Sequence, residues 1–126
     1  MGFLTKYQPQ LLSVLRIVTG LLFLEHGIQK IFGFPAPMPV PPDQAMIIMA
    51  AGWIELVGGA LIVLGLFSRI AAFICSGEMA VAYWMVHVRM GGLFPAQNKG
   101  DAAILFCFVF LYIAAAGPGP WAIDRS

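Results

Sequence analysis

Ionisable side chains interrupt the long apolar stretches of this sequence, and they are its strongest candidates for chemistry. The set comprises Arg16, Glu25, His26, Lys30, Glu55, Glu78 and His87, and Asp101 stands at the start of the last apolar stretch. A charged side chain at the centre of a membrane helix costs about 3 kcal/mol or more unless it is paired or hydrated. Residues of this kind therefore mark either a functional site or an internal ion pair.

Four of these residues predict a ligand-binding pocket: His26, Lys30, His87 and Asp101. His26 and Lys30 are four residues apart, so they share one face of a helix. An imidazole exchanges protons near neutral pH and a lysine donates hydrogen bonds, so the set can bind a polar headgroup and move a proton. The alternative is that Lys30 and His87 only extend their polar ends to a membrane surface.

The other ionisable residues within the apolar stretches are predicted to be structural: Arg16, Glu25, Glu55 and Glu78. Glu55 lies between Gly52 and Gly59, and small residues on both sides favour close helix packing around an internal ion pair. Glu25 lies at the edge of the polar face of its helix, where we expect it to face a partner subunit or lipid headgroups. The opposing interpretation is a polar pocket or a hydrated proton path through Glu55 and Glu78.

Four apolar stretches must position these side chains. Hydrophobic residues make up 60% of the 126 residues and charged residues only 10%, whereas soluble domains carry about a quarter charged residues. The stretches cover about residues 11–32, 43–67, 69–88 and 102–116, and a helix needs about 20 residues to cross a bilayer, so only the last is short. We predict one all-α domain over residues 1–126, an integral membrane bundle of four transmembrane helices.

The connections predict an up-down-up-down order. Ser68 and Arg69 form a very short turn, which makes the second and third helices antiparallel neighbours. The long loops, residues 33–42 and 91–100, then share one side, and both termini share the other. The cations nearly balance, with Lys6, Arg69 and Arg125 flanking the terminal side and Lys30, Arg89 and Lys99 the loop side. Arg16 favours cytoplasmic termini by the positive-inside rule.

Familiar catalytic and metal-binding signatures are absent from the sequence. It contains no Gly-rich phosphate loop, no HExxH motif and no nucleophile elbow. Cys75 and Cys107 have no CxxC spacing and no neighbouring His, so we interpret them as buried apolar residues. We predict no metal site and no covalently bound cofactor. The net charge of +1 gives no electrostatic case for a nucleic-acid partner.

An ordered series of short motifs covers almost the whole chain. It consists of Leu15-Arg16-Ile17-Val18 with His26-Gly27 and Lys30, Glu55-Leu56-Val57-Gly58-Gly59, Gly65-Leu66-Phe67-Ser68-Arg69-Ile70-Ala71-Ala72, Met79-Ala80-Val81-Ala82 with His87, and Gly117-Pro118-Gly119-Pro120 with Asp124. This series resembles the DoxX family of small four-helix membrane proteins. Asp101 stands where the family often has Glu, which leaves a carboxylate in place.

The resemblance implies a redox context and a bacterial cytoplasmic (inner) membrane location. The family takes its name from a membrane subunit of a thiosulfate:quinone oxidoreductase, and other members resemble anchors of complexes that handle oxidative stress. We therefore expect a membrane subunit of a redox-linked assembly, with partner redox subunits and a quinone as its ligand. Two alternatives remain open, a non-catalytic scaffold or homo-oligomer that organises partners or lipid, and a small transporter or proton-conducting bundle. Whether the chain is itself catalytic is also open, because fold transfers within a family better than activity does.

Overall fold

The computed structural model describes residues 1–124, and every regular element in this range is helical. The α-helices are α1 Gln8–Phe32, α2 Ala45–Leu64, α3 Ser68–Ala82, α4 Val88–Gly91, α5 Pro95–Asn98 and α6 Asp101–Ala116. Short 3-10 segments, Gly2–Tyr7 and Pro42–Gln44, precede α1 and α2, and a π-helical segment, Tyr83–His87, joins α3 to α4. Arg125, which the sequence predicts on the terminal side, lies outside the described residues.

The helix ends differ from the predicted spans for local reasons. α1 begins at Gln8 rather than near residue 11 because Pro9 is tolerated in a first helical turn. α2 ends at Leu64 rather than at residue 67 because Gly65 adopts a left-handed conformation with φ of 70°. The backbone N–H groups of Gly65 and Leu66 then bond back to the last turn of α2 and close it. The third stretch continues past residue 88 to Gly91 through the π-helical segment.

Glycines bring α1 and α2 into close antiparallel contact. A Cβ atom at Gly27 of α1 would lie 2.6 Å from the backbone nitrogen of Leu56. A Cβ atom at Gly59 of α2 would lie 3.0 Å from the Cα atom of Leu24. The later residue on α1 contacts the earlier residue on α2, so the two helices run in opposite directions. The absence of side chains at these positions is what allows the backbones to approach.

α3 and α6 form a second antiparallel pair. The Ser76 hydroxyl donates a hydrogen bond of 2.7 Å to the carbonyl of Cys107, near the middle of both helices. Nearer the chain termini, the Arg69 guanidinium donates to the last carbonyls of α6, at Ala114 (3.2 Å) and Ala115. These bonds join the start of α3 to the end of α6, so the two helices also run in opposite directions.

Aromatic and aliphatic side chains join the two helix pairs into one core. The ring of Phe23 on α1 lies 5.4 Å from that of Phe106 and 4.8 Å from that of Phe110, both on α6. Ile62 of α2 and Ile113 of α6 are fully buried beside them. α1 therefore contacts α6 mainly through large side chains, whereas its backbone packs on α2.

The outer surface of the helices is apolar, as a membrane protein requires. Large hydrophobic side chains such as Leu21, Phe73 and Leu105 are half exposed or more. The segments Gly2–Phe32, Pro42–Leu64 and Ser68–Gly91 are long and apolar enough to cross a membrane, and Asp101–Ala116 is apolar but shorter. The prediction of an all-helical membrane protein is confirmed, while a fourth crossing through α6 stays a prediction.

Candidate functional site

A buried ion pair between α1 and α2 is the centre of the candidate site. Gly52 lacks a side chain, and a Cβ atom there would lie 2.9 Å from the Cβ atom of Lys30. The lysine stem therefore lies directly against α2, and its Nζ atom reaches Oε1 of Glu55 at 2.7 Å. The Glu55 side chain is 1% exposed and that of Lys30 is 16% exposed. Lys30 thus extends inward to a carboxylate rather than outward to the membrane surface.

Glu78 of α3 adds a second carboxylate to this pair. It lies in interaction range of both Glu55 and Lys30, and we call Lys30, Glu55 and Glu78 the polar centre. Within residues 1–124, Oε2 of Glu55 and Oε1 of Glu78 are buried and have no hydrogen-bond partner. Cys75 lies one turn earlier on α3, against Gly58 of α2, and in electrostatic range of both carboxylates. Three helices therefore contribute one ammonium group, two carboxyl groups and a thiol.

His26 is exposed on α1 and hydrogen-bonds within its own helix. Its Nδ1 atom lies 2.7 Å from the carbonyl oxygen of Leu22, so in the neutral ring Nδ1 carries the proton and Nε2 is left as an acceptor. The ring also packs edge-on against Phe106, with 5.7 Å between centroids. His26 shares a helix with Lys30 but does not bond to it.

The other two predicted pocket residues lie near the loop that precedes α6. Nδ1 of His87 is 3.1 Å from the carbonyl oxygen of Asn98, and its ring stacks on Tyr83. Asp101 is exposed in the first turn of α6, where a carboxylate interacts favourably with the helix dipole. Within residues 1–124, no hydrogen bond or ion pair joins any two of His26, Lys30, His87 and Asp101.

Asn98 is a buried polar residue that sequence reasoning missed. Its side-chain amide donates to the Tyr83 hydroxyl (3.1 Å) and to the Gly92 carbonyl (2.8 Å), and its side-chain oxygen accepts from the N–H of Gly100 (2.8 Å). The Tyr83 hydroxyl in turn donates to the Leu93 carbonyl. The only available signal was an Asn within a loop rich in glycine. These bonds hold the loop against the π-helical segment.

Arg16 and Glu25 lie apart from the polar centre. The Arg16 side chain is fully buried, and its guanidinium donates to the carbonyls of Pro118 and Trp121 rather than to a glutamate. Ser13, one turn earlier, donates to the Pro118 carbonyl and accepts from the N–H of Trp121. Glu25 is exposed on α1. Arg16 therefore secures the segment that follows α6.

Asp124 completes this arrangement at the start of α3. Its carboxylate accepts hydrogen bonds from the backbone N–H groups of Ser68 (2.8 Å) and Phe67 (3.0 Å). The N–H of Ser68, supported by that of Phe67 and by the charge of Arg16, holds the pKa of Asp124 below its usual value. Phe67 provides no side-chain cap of its own, so a residue distant in sequence caps this helix.

Two cavities lie at opposite ends of the molecule. A small one of about 60 Å³ lies between the start of α2 and the π-helical segment, and is lined in part by Asp43, Ile47 and Arg89. A cleft of about 800 Å³ opens between α1 and α6 at the other end, where Leu12 and Tyr112 line it. Neither is lined by a residue of the polar centre. Among residues 1–124, no group of three His, Cys, Asp or Glu side chains could hold a metal ion.

The polar centre can hold and exchange protons in the membrane interior. An ammonium group donates hydrogen bonds, and a carboxyl group either accepts them or, when protonated, donates one. Since Lys30 keeps some exposure while Glu55 does not, an incoming polar group would meet the ammonium first. The geometry thus suits a ligand with an oxygen acceptor that also exchanges protons.

Comparison with known proteins gives the chain a family. A protein of Haemophilus influenzae, itself uncharacterized, is 43% identical over 100% of this chain and 97% of its own length. A membrane protein of Mycobacterium tuberculosis is 30% identical over 93% of this chain and 81% of its own length. A provisionally named oxidoreductase of Bacillus subtilis, CatD, is 27% identical over 88% of this chain and 82% of its own length. No solved structure matches.

The family model for DoxX matches residues 11–88. This range contains the whole polar centre, together with Arg16, His26 and His87, and it ends before Asp101 and Asp124. The resemblance seen in the motifs is therefore confirmed over more than half of the chain, and this membrane protein belongs to the DoxX family.

Proposed function

We propose that this protein is a membrane subunit of a redox-linked assembly and that it binds a quinone beside the polar centre. The observation that carries the proposal is the buried Lys30–Glu55 pair, 2.7 Å long, with Glu78 beside it. Groups that donate hydrogen bonds and hold protons are rare inside a bilayer because they are costly there. The name of the Bacillus subtilis relative, an oxidoreductase, supports the redox context.

The residues of this chain would bind the quinone headgroup and exchange protons with it. A bound quinone would supply the redox chemistry, in which two electrons from a partner redox subunit and two protons give the quinol. The Lys30 ammonium, which keeps partial exposure, would donate a hydrogen bond to one carbonyl oxygen. Glu55 and Glu78 would hold protons behind it, and Nε2 of His26, one turn away on α1, is a second exchangeable position.

We place the protein in the bacterial cytoplasmic membrane, with four crossings and with both termini in the cytoplasm. The 16 residues of α6 span about 24 Å at about 1.5 Å per residue, less than the ~30 Å of a bilayer core. The apolar composition of α6 and its packing along α3 support a crossing by all four long helices.

A scaffold or homo-oligomer is the competing function, and Glu25 favours it. This carboxylate is exposed on α1 beside Leu21 and Leu22, which are also half exposed. A charge on a surface that otherwise suits lipid would be stabilised by a contact with a second subunit. In that case the polar centre would fix the helix packing and bind no ligand.

Titration of a short-chain quinone analogue into detergent-solubilised protein separates these functions. We expect Lys30→Met to weaken binding at least about tenfold, because a hydrogen bond from a charged group contributes about 1.5–3 kcal/mol. His26→Ala should weaken it less. His87→Ala and Asp101→Asn report whether the site extends to the loops, as the sequence predicted, or is confined to the polar centre.

Folding is checked for each variant by its monodispersity in detergent. Glu25→Gln is the matched control, since it changes an exposed charge on the same helix and should bind as wild type does. Equal binding by wild type and Lys30→Met, or no binding by either, would reject the quinone site and favour the scaffold.

A further inference from the structure

The charges of the polar centre do not balance. Glu55 and Glu78 bring two carboxyl groups, and Lys30 brings the single ammonium group in range. The Cys75 thiol on α3 also lies in electrostatic range of both carboxyl groups. If both carboxyl groups were ionised, the buried centre would carry a net negative charge.

We propose that Glu55 and Glu78 share one buried proton, and that the position of the Lys30 ammonium sets whether this centre holds one proton or two. With Lys30 on Glu55, one proton makes the centre neutral. With Lys30 drawn away, a second proton from water converts the remaining carboxylate into a carboxylic acid. The return of Lys30 releases that proton.

The first argument is electrostatic. Two carboxylates that face each other in a medium of low dielectric constant cannot both stay ionised without a matching pair of cations. Burial of one uncompensated charge costs more than the uptake of a proton near neutral pH, so such groups neutralise instead. One ammonium group compensates one carboxylate, and the proton compensates the other.

The second argument is the hydrogen bonding of the carboxyl oxygens. Oε1 of Glu55 accepts from Lys30, whereas Oε2 is buried without a partner among residues 1–124, and the side chain is only 1% exposed. Oε1 of Glu78 is also buried without a hydrogen-bond partner among residues 1–124. A protonated carboxyl group gains one O–H donor. A proton between Glu55 and Glu78 therefore supplies the donor that these oxygens lack.

The third argument concerns Lys30, which is better placed than Glu55 to leave the pair. Its side chain keeps 16% exposure and sits on a flexible stem at the α1–α2 contact. A ligand with an oxygen acceptor or a negative charge that approaches from this side would compete with Glu55 for the ammonium. Ligand binding at Lys30 would then be coupled to the uptake of one proton.

Infrared spectroscopy of protein labelled with ¹³C-carboxyl glutamate tests the proposal at neutral pH. Wild type should show the stretching band of one protonated buried carboxyl group. Glu78→Gln should lose this band, and so should Glu55→Gln, because either change leaves one carboxylate for one ammonium group. Lys30→Met should double the band, because both glutamates then take up protons, whereas Lys30→Arg should keep it at the wild-type intensity.

The chain offers a matched control in Glu25, the one glutamate outside the polar centre. Glu25→Gln combined with Lys30→Met should gain the same intensity as Lys30→Met alone. A wild-type spectrum without a protonated buried carboxyl band overturns the proposal. If Lys30→Met does not fold, Lys30→Gln replaces it, and the two glutamine variants decide the proton sharing by themselves. The experiment uses no quinone, so its failure leaves the proposed quinone site standing, and the reverse also holds.

Discussion

Arg16 and Lys30 lie on the same helix and each brings a cation into the interior, yet their partners differ in kind. Lys30 pairs with a carboxylate, while Arg16 bonds to backbone carbonyls of the segment after α6. That segment contains two prolines and leaves its carbonyls without helical partners, so the forked guanidinium can satisfy two of them at once. Lys30 therefore joins α1 to α2, and Arg16 joins α1 to the C-terminal segment.

The capping role of Asp124 predicts a pH-dependent stability. Its pKa is lowered below the usual 3.8 by the N–H groups of Ser68 and Phe67 and by the charge of Arg16. A lowered folded-state pKa contributes stability that is fully present above the unfolded value and is lost as the pH falls through the folded one. We expect the thermal stability of wild type to exceed that of Asp124→Asn by a constant margin from neutral pH down to about pH 5.

Below about pH 4 the margin should shrink, because the wild-type carboxylate is then protonated as well. Thermal unfolding in detergent, followed by the loss of monodisperse protein, measures the margin. Asn keeps a side-chain oxygen that can accept from the helix N-terminus, so the comparison isolates the charge. A margin that is the same at pH 7 and pH 3 would contradict the role of the charge.

At the scale of elements, the sequence predicts the helices well and their ends less well. Long apolar stretches identify α1, α2, α3 and α6, and the left-handed conformation of Gly65 explains why α2 ends early. The π-helical segment Tyr83–His87 has no such signal in the sequence, and its Tyr83 hydroxyl accepts a hydrogen bond from Asn98, 15 residues further along the chain. A local sequence pattern does not contain contacts of this kind.

The sequence identifies individual residues of the candidate site but does not show which of them form an ion pair. The glycines around Glu55 indicate close packing, and Lys30 is identified as a polar group in an apolar stretch. Their pairing was missed because a rise of about 1.5 Å per residue places Lys30 near the membrane surface. The long lysine side chain instead reaches inward along Gly52 to Glu55. Depth along a helix locates a Cα atom, while a flexible side chain adds several ångströms in either direction.

Substitution by alanine should have opposite effects at a glycine inside the α1–α2 contact and at a glycine on an open helix face. A Cβ atom at Gly27 would lie 2.6 Å from the backbone nitrogen of Leu56, and a backbone atom cannot move aside cheaply. We expect Gly27→Ala to lower the stability by about 1–3 kcal/mol. At Gly77 of α3 a Cβ atom would meet nothing within 4 Å, so Gly77→Ala should be neutral or stabilising by up to about 1 kcal/mol.

Both variants make the same chemical change in a helix, so Gly77→Ala is the matched control for Gly27→Ala. Thermal unfolding in one detergent, with both measured beside wild type, gives the comparison. Equal stabilities for the two variants would show that α1 and α2 are not in backbone contact at Gly27.

At the scale of the whole molecule, two antiparallel helix pairs meet through side chains and leave a cleft at one end. α1 packs on α2 and α3 on α6, while Phe23 connects α1 to α6 near the middle. Toward the termini the α1–α6 contact opens into the cleft of about 800 Å³. The segment after α6 lies beside this cleft and bonds to Ser13 and Arg16. The start of α1 and the end of α6 therefore lie at the same end of the molecule.

This arrangement predicts the topology, which labelling of single cysteines can test. After Cys75 and Cys107 are replaced by alanine, single cysteines are placed at Thr5, Val40, Leu93 and Ile123, all of which are exposed. If all four long helices cross the membrane, Thr5 and Ile123 should share one side and Val40 and Leu93 the other. With cytoplasmic termini, an impermeant thiol reagent applied to intact cells should label only Val40→Cys and Leu93→Cys. Labelling of all four in opened membranes controls for access.

If α6 does not cross, Leu93→Cys and Ile123→Cys will label from the same side. The bonds from Arg16 to Pro118 and Trp121 will then require a different fold for the end of the chain.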